Sequence, residues 1–174
     1  MASKKQSQPQ KATAKKTPNW WRRTIPPLTP TEAAWLAGFL DGEGCFTITY
    51  RPVDATHKTG YHQAAIYVSN TCREPLDWFA NKFSVAVKSH DRTPGKHKEI
   101  FSTQISGHRA CLLAETLLPY LKVKRRQALI FIRYGKTHTN TPAYEARVSL
   151  TAEAIRARKN MHAAITKLNR KGVA

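Results

Sequence analysis

Acidic residues and long apolar runs are both scarce in this chain. Its 174 residues include 29 lysines and arginines against 11 aspartates and glutamates, so the formal charge is +18 at pH 7. A folded chain this basic usually binds a polyanion, which makes nucleic acid the leading class of partner. An anionic membrane surface is a weaker alternative, because the longest strongly apolar run, residues 33–40, is far too short to span a bilayer.

Several motifs of enzymes and metal sites are also missing. The three cysteines, Cys45, Cys72 and Cys111, form no CxxC pair, which argues against a zinc knuckle and is typical of a reducing compartment. The seven histidines form no HExxH sequence, and there is no phosphate-binding GxxxxGKS/T loop to support nucleotide hydrolysis. The hydrophobic content of 41% predicts a globular protein rather than a disordered one.

The sequence divides into a basic arm and one folded domain. Residues 1–28 combine lysines and arginines with Ser, Gln, Thr and Pro and contain no acid. This composition predicts a disordered arm, which serves either solubility or contact with phosphates. Residues 29–174 form the predicted domain, and a strongly basic helix at about 151–170 ends it.

Hydrophobic periodicity within the domain predicts an α+β fold. Thr29, Pro30 and Glu32 form a capping box that begins a helix, which runs to about Asp41 and is broken by Gly42 and Gly44. Strands are predicted at 45–51, 61–70, 85–92 and 99–106, helices at 73–83, 108–118 and 124–134, and a loop at 137–144. The order αββαββα, followed by further C-terminal helices, pairs the strands as two hairpins in an antiparallel four-stranded sheet.

One face of this sheet is predicted to be polar and cationic. Ala64, Ile66 and Val68 alternate with polar residues and suit the core face. The opposite face carries cations and hydrogen-bonding groups, at Thr47, Thr49, Arg51, Gln63, Tyr67, Lys88, His90, Arg92, Ser102 and Gln104. These side chains suit base-edge readout and phosphate contact, although an open sheet face that is simply solvated would also be polar.

The end of the first helix, LAGFLDGEG, opposes local helix stability in two ways. Glycine inside a helix costs about 1 kcal/mol relative to alanine. The carboxylates of Asp41 and Glu43 lie at the negative end of the helix dipole, where an acid is unfavourable. Some other interaction must therefore offset both costs.

Small residues in this helix offer two explanations. Ala34, Gly38 and Gly42 form an i, i+4, i+8 ridge, which permits either close approach of a second helix or one glycine packed against the sheet. If two such helices pair about a two-fold axis, two Glu43 side chains approach each other and repel. A divalent cation would relieve that repulsion, and Mg²⁺ prefers oxygen ligands of this kind. Mg²⁺ held by carboxylates beside DNA would form a site for phosphodiester hydrolysis.

Two stretches of the sequence resemble one known family. LAGFLDGEG, residues 36–44, resembles the LAGLIDADG motif of homing endonucleases at all nine positions, and LTPTEAAW before it resembles the lead-in of single-motif members. LLPYLKVKRRQALIF, residues 117–131, resembles the stretch after the fourth strand in the homodimeric group. VSNTCREPLDWF, residues 68–79, fits the second strand and the following helix more loosely. The resemblance spans about residues 29–135.

The resemblance implies a homodimer in which two motif helices pair at the centre of a saddle of two sheets. It implies site-specific, Mg²⁺-dependent double-strand cleavage of a long, near-palindromic DNA target, with Mn²⁺ as a substitute metal. By this resemblance Glu43 and the carbonyl of Gly42 bind the metal, while Lys124 and Asn70 act on active-site solvent, with Asn70 in place of the usual Gln. Asp41 is expected to be structural. The implied dimer interface comprises Ala34, Leu36, Ala37, Gly38, Leu40 and Asp41, and Lys122 joins the DNA-binding residues.

Other functions stay open at this point. The same fold without cleavage would be an intron maturase that binds RNA, or a DNA-binding regulator, and Asn70 keeps that alternative open. A basic ribosomal or structural RNA protein is a third alternative, against which the small-residue ridge ending at Glu43 counts. The resemblance further implies an intron-encoded protein of a prokaryotic cytoplasm or of an organelle, either chloroplast or mitochondrion, that is not secreted.

Overall fold

The computed structural model describes residues 24–52, 60–90, 98–139 and 151–170. The elements in this part of the chain are α1 (Pro30–Glu43), β1 (Gly44–Arg51), β2 (Tyr61–Asn70), α2 (Glu74–Phe83), β3 (Lys88–His90), β4 (Ile100–Ser106), α3 (His108–Leu117), α4 (Arg125–Thr139) and α5 (Ala152–Leu168). This order confirms the predicted αββαββα arrangement with additional C-terminal helices. Most of the predicted basic arm, residues 1–23, and the end of the predicted strand at 85–92, residues 91–92, lie outside the described residues.

The first helix begins as predicted but ends later. The hydroxyl of Thr29 accepts from the Glu32 N–H at 3.2 Å, and the Glu32 carboxylate accepts from the Thr29 N–H at 2.8 Å, which confirms the capping box. The prediction that Gly42 breaks the helix is wrong, because α1 continues to Glu43 and Gly44 is its C-cap. A Cβ placed at Gly44 would lie 2.7 Å from the Leu40 carbonyl oxygen, so the direct passage from α1 into β1 requires glycine.

The sheet is antiparallel, in the order β1-β2-β4-β3. Phe46 pairs with Ile66, and Ile66 pairs in turn with Ile105, so these residues share one face. All three are at most 1% exposed, because the helices, including α5 through Ile165, cover this face and complete the core. The predicted core positions Ala64, Ile66 and Val68 are confirmed, and α2 adds the buried side chains of Leu76, Phe79 and Phe83.

Two predicted elements have different lengths in the structure. The predicted loop at 137–144 is wrong at residues 137–139, which belong to α4, while residues 140–144 lie outside the described part. Tertiary contacts from α5 accompany this extension, since Arg158 Nε donates to Thr137 Oγ1 at 2.9 Å. In the predicted strand at 85–92, the Val85 N–H instead donates to Ala80 O at the end of α2, and β3 begins at Lys88.

No helix in the described residues is both long enough and apolar enough to cross a bilayer.

Candidate active site and nucleic-acid interface

The junction between α1 and β1 exposes one carboxylate. Glu43 is the last residue of α1, and its side chain has no hydrogen bond or ion pair within the described ranges. Gly42 before it is also exposed, and a Cβ at that position would meet no atom within 4 Å. The predicted metal-binding residues therefore lie together on an open surface at the C-terminal end of the helix.

Asp41, two positions earlier, turns towards a different partner. Its carboxylate accepts three backbone N–H bonds from the segment that leads into α4: from Lys122 at 2.7 Å, Val123 at 3.1 Å and Lys124 at 2.8 Å. The Lys124 ammonium donates to the Asp41 carbonyl oxygen. Asp41 therefore connects the end of α1 to the start of α4, an arrangement that suits the structural role expected for it.

These bonds also decide the charge of Asp41. Partial burial acts to raise the pKa of this carboxyl, but the three backbone N–H bonds and the Lys124 ammonium outweigh it, so its pKa lies below the ordinary value. The ionised carboxylate meets the N-terminal end of α4, where the dipole of that helix favours negative charge. This contact offsets the unfavourable position of an acid at the end of α1.

Lys124 lies at the same junction. Besides its bond to Asp41, its charge acts on the Cys45 thiol at the start of β1. Burial raises the pKa of Cys45, and the Lys124 ammonium opposes that effect only in part. The thiol is therefore protonated near neutral pH, which fits a packing residue better than a nucleophile. Lys124 itself brings a cation to within reach of the end of α1.

Sheet register brings Asn70 to this end of the molecule. Gly44 pairs with Val68, so β2 extends to Asn70 beyond the first residue of β1, at the edge where Glu43 lies. However, Asn70 Oδ1 accepts from the Cys72 N–H at 2.8 Å. This turn uses the side-chain oxygen of Asn70 and leaves the side-chain NH₂ group for other partners. Asn70 therefore differs from the Gln expected by the resemblance, which is longer.

The open face of the sheet carries the predicted nucleic-acid contacts. The register pairs Thr49 with Gln63, Tyr67 with Gln104, and Lys88 with Ser102, which brings these side chains to one face. No acid occupies this face within the described strands. The predicted residues found on it are Thr47, Thr49, Arg51, Gln63, Tyr67, Lys88, His90, Ser102 and Gln104.

Three predicted contacts differ in accessibility. Arg92 lies outside the described residues. Ser102 is 2% exposed and bonds to His90 Nε2 at 2.8 Å, so His90 covers it and is the accessible partner of the two. Lys122 is exposed at the loop before α4, next to the candidate metal site rather than on a strand.

The small residues of α1 lie on its exposed side, which distinguishes pairing with a second helix from packing of a glycine against the sheet. Ala34, Gly38 and Gly42 are exposed, and a Cβ at Gly38 or Gly42 would meet no atom within 4 Å. Packing of one of these glycines against the sheet is therefore wrong, and no atom of the described residues covers these two positions of the ridge. The predicted interface is also wrong for three members, since the protomer's own core fully buries Leu36, Ala37 and Leu40.

Sequence reasoning missed the aromatic residues beside this ridge. Trp35 is 44% exposed, stacks on Phe39 with ring centroids 5.6 Å apart, and meets Trp78 of α2 edge-on at 4.7 Å. Trp35 and Trp78 line an apolar cleft that also includes Cys72. The available signal was Trp35 itself, which directly follows Ala34 and falls outside the i, i+4 spacing of the buried residues.

Comparisons with known proteins identify the fold. No family model and no curated protein matches the chain. The homing endonuclease I-CvuI, solved with a DNA target in the presence of magnesium, superposes with a TM-score of 0.62 and 20% identity over 83% of this chain and 86% of that one. The archaeal intron-encoded homing endonuclease I-Vdi141I, complexed with DNA, superposes with a TM-score of 0.64 and 14% identity, over 82% of this chain and 87% of that one. The meganuclease I-SmaMI, bound to uncleavable DNA, superposes with a TM-score of 0.60 and 13% identity, over 81% of this chain and 45% of that one.

These solved structures belong to one class. I-SmaMI is described as a LAGLIDADG homing endonuclease, and I-AabMI, which is also similar to this chain, as a LAGLIDADG meganuclease. The chain therefore has the fold of the LAGLIDADG homing endonucleases, as the resemblance in residues 36–44 predicted.

Proposed function

We propose that this protein is a homing endonuclease that makes site-specific double-strand breaks in a long, near-palindromic DNA target, as a metal-dependent homodimer. One observation carries the proposal: the exposed Glu43 carboxylate ends a helix whose free ridge suits a partner, beside a cationic sheet face without acids. The structures with this fold, I-CvuI, I-Vdi141I and I-SmaMI, are each described as bound to DNA.

The open sheet face supplies the DNA-binding surface. Arg51, Lys88 and Lys122 are exposed cations suited to phosphate contact. Thr49, Gln63 and Gln104 share the face and offer side-chain donors and acceptors to base edges. Specificity would thus come from a strip of polar side chains that the antiparallel register holds at fixed spacing.

The donor set fits a hard divalent cation. No group of three His, Cys, Asp or Glu side chains that could hold a metal occurs in the described residues. Mg²⁺, however, is commonly bound by one or two carboxylates together with waters and substrate phosphates. Glu43 and the Gly42 carbonyl would hold it, and Mn²⁺ would substitute. When bound, the ion supplies an activated water and neutralises charge on the phosphate.

The remaining residues position this site. Lys124, held at the end of α1 by its bond to the Asp41 carbonyl, presents a cation to the phosphate that is cut or to the attacking solvent. Asp41 keeps Lys124 in place through the loop before α4. The side-chain amide of Asn70 is left to donate to solvent or phosphate at the same edge of the sheet.

Two copies are needed for cleavage of both strands. The chain covers 86% of I-CvuI but 45% of I-SmaMI, so one copy corresponds to about half of the larger protein. The free ridge of Ala34, Gly38 and Gly42 supports pairing of two α1 helices, which would bring two Glu43 residues to the centre of one DNA-binding surface.

A DNA-binding protein that lacks cleavage is the second candidate. The observation that favours it is the Asn70 side chain, whose oxygen is bonded to the Cys72 N–H. Such a protein would keep the cationic sheet face and act as a regulator. An intron maturase, in which the same face binds RNA, belongs to this candidate as well.

Cleavage of a DNA library with randomised half-sites tests the proposal. We expect double-strand cuts at one family of near-palindromic sequences with Mg²⁺, binding without cuts with Ca²⁺, and loss of cutting in Glu43→Gln. Glu115→Gln, which changes an exposed acid of α3, is the matched control and should cut like the wild type. DNA binding without cuts in either metal would instead support the second candidate, and Asn70→Gln would then be tested for gain of cleavage.

A further inference from the structure

The C-terminal helix reaches back to the start of β1. Asn169 is the C-cap of α5, and its backbone N–H donates to Ile165 O at 3.0 Å. Its side-chain amide donates to the Phe46 carbonyl oxygen at 2.8 Å and lies 3.9 Å from Cys45 Sγ. Ile165 is 1% exposed, so the last turn of α5 is fixed in the core. A rigid helix end is thereby bonded to the residues that directly follow the candidate metal site.

The position of the Glu43 carboxylate depends on this backbone. Its side chain has no partner of its own within the described residues, so only the main chain on either side can hold it. On the helix side, Asp41 is bonded to the segment before α4. On the strand side, Gly44 lies tightly against Leu40, and Phe46 is bonded to Asn169.

We propose that Asn169 is a positioning residue for Glu43, an inference that rests on the proposed nuclease function. Asn169 and Asp41 act as two anchors, one on each side of the junction between α1 and β1. The bond from Asn169 needs an amide donor, because the Phe46 carbonyl can only accept. Loss of this donor would let the first residues of β1 move, and displacement of a catalytic group by about 1 Å can cost on the order of 100-fold in rate.

The test separates positioning from simple stability. Asn169→Asp keeps the size of the side chain but removes its donors, and Asn169→Gln keeps the donors on a longer side chain. Thr166→Ala is the matched control, because the Thr166 hydroxyl bonds only within α5, to His162 O at 2.8 Å. Single-turnover cleavage with Mg²⁺ gives the rate, DNA affinity is measured with Ca²⁺, and thermal melting checks that each variant is folded.

We expect Asn169→Asp to cut at least about 10-fold more slowly at saturating DNA, with the affinity for DNA within about twofold of wild type. Asn169→Gln should recover part of the rate, and Thr166→Ala should behave as the wild type. Equal losses of rate and DNA affinity in Asn169→Asp, or an unchanged rate, would overturn the proposal.

Amide hydrogen exchange supplies a readout that needs no cleavage. Asn169→Asp should accelerate amide exchange at residues 45–47, because the Phe46 carbonyl loses its donor from α5. If the wild type cuts no DNA, the nuclease proposal fails, yet faster exchange at residues 45–47 would still support the anchor. Unchanged exchange there would refute the anchor whether or not the protein cuts.

Discussion

At the scale of single residues, the two acids at the end of α1 have opposite environments. Asp41 is bonded to three backbone N–H groups of the segment before α4, whereas Glu43 extends into solvent. The difference follows from helix geometry, since residues two apart point about 200° apart around the axis. One acid therefore builds the junction while the other stays available for a ligand.

Asp41→Asn should destabilise the fold and also slow cleavage. One carboxylate oxygen becomes an NH₂ group that cannot accept from the backbone, so at least one N–H loses its partner and the segment before Lys124 loosens. The expected loss in the free energy of unfolding is about 1–3 kcal/mol, measured by urea denaturation at pH 7. Glu115→Gln again serves as control. If Asp41→Asn lowers the free energy of unfolding no more than Glu115→Gln does, this role for Asp41 is contradicted.

The pH dependence of this loss has a defined sign. The pKa of Asp41 in the folded protein lies below its ordinary value of 3.8, so its stabilising effect is complete above that value. The effect disappears as the pH falls through the lower, folded-state pKa. The stability difference between wild type and Asp41→Asn should therefore narrow in acid.

At the scale of elements, α5 meets the sheet through a cluster of bases. The His62 ring of β2 lies 5.5 Å from His162 of α5 and 5.2 Å from Tyr50 of β1. Arg158, which is 4% exposed, donates to Thr137 and lies over the Tyr134 ring at 5.4 Å. Burial, followed by the charges of His162 and Arg158, lowers the pKa of His62, so docking of α5 favours the neutral imidazole.

Acidification should therefore weaken the docking of α5. Between the ordinary histidine pKa of 6.5 and the lower pKa in the folded protein, His62 binds a proton in the unfolded chain but not in the folded one, so stability falls as the pH drops across this interval. We expect the melting temperature to decrease between pH 7 and pH 5, and to decrease less in His62→Gln. His108→Gln, at the start of α3, is the control. If the melting temperature of His62→Gln falls as steeply with pH as that of the wild type, the prediction is contradicted.

Elements with strong periodicity were predictable from the sequence, and long-range contacts were not. The alternation in residues 61–70 and the capping box at Thr29 depend on neighbours in the chain, and both were confirmed. The bonds from Asp41 to Lys122 and from Asn169 to Phe46 join residues far apart and have no local signal. They also carry the geometry of the candidate site, whose acid Glu43 was predicted from its place at the end of the first helix and from the motif.

The interface prediction failed for a different reason. The i, i+4 spacing of Leu36 and Leu40, which Ala33 and Ala37 also follow, marks the buried side of α1. The small residues Ala34, Gly38 and Gly42 repeat one position later and mark the opposite, exposed side. Helical spacing alone therefore separates the two faces of α1, whereas the predicted interface combined residues from both.

At the scale of the whole molecule, the two exposed surfaces have complementary roles. The chain carries a net charge of +18, and the described part of the open sheet face has cations but no acid, which suits a polyanion. Apart from Glu43 at its end, the exposed side of α1 carries the small-residue ridge and Trp35 and no other exposed charge. A surface of this composition suits a protein partner, and a second copy would extend the DNA-binding face across the two-fold axis.

Gly38→Leu tests whether this ridge pairs two copies. A Cβ at position 38 would meet no atom of the described residues within 4 Å, so the exposed site has room to begin a larger side chain. Leucine also favours a helix over glycine by up to about 1 kcal/mol, so the monomer should fold at least as well. We expect the mass in solution to fall from a dimer to the 19.6 kDa monomer, with double-strand cleavage lost. Ala163→Leu, an equivalent enlargement on the exposed side of α5, should stay dimeric. A Gly38→Leu protein that remains a dimer would require a different pairing surface, and the two Glu43 carboxylates would then not meet at the centre of the DNA-binding face.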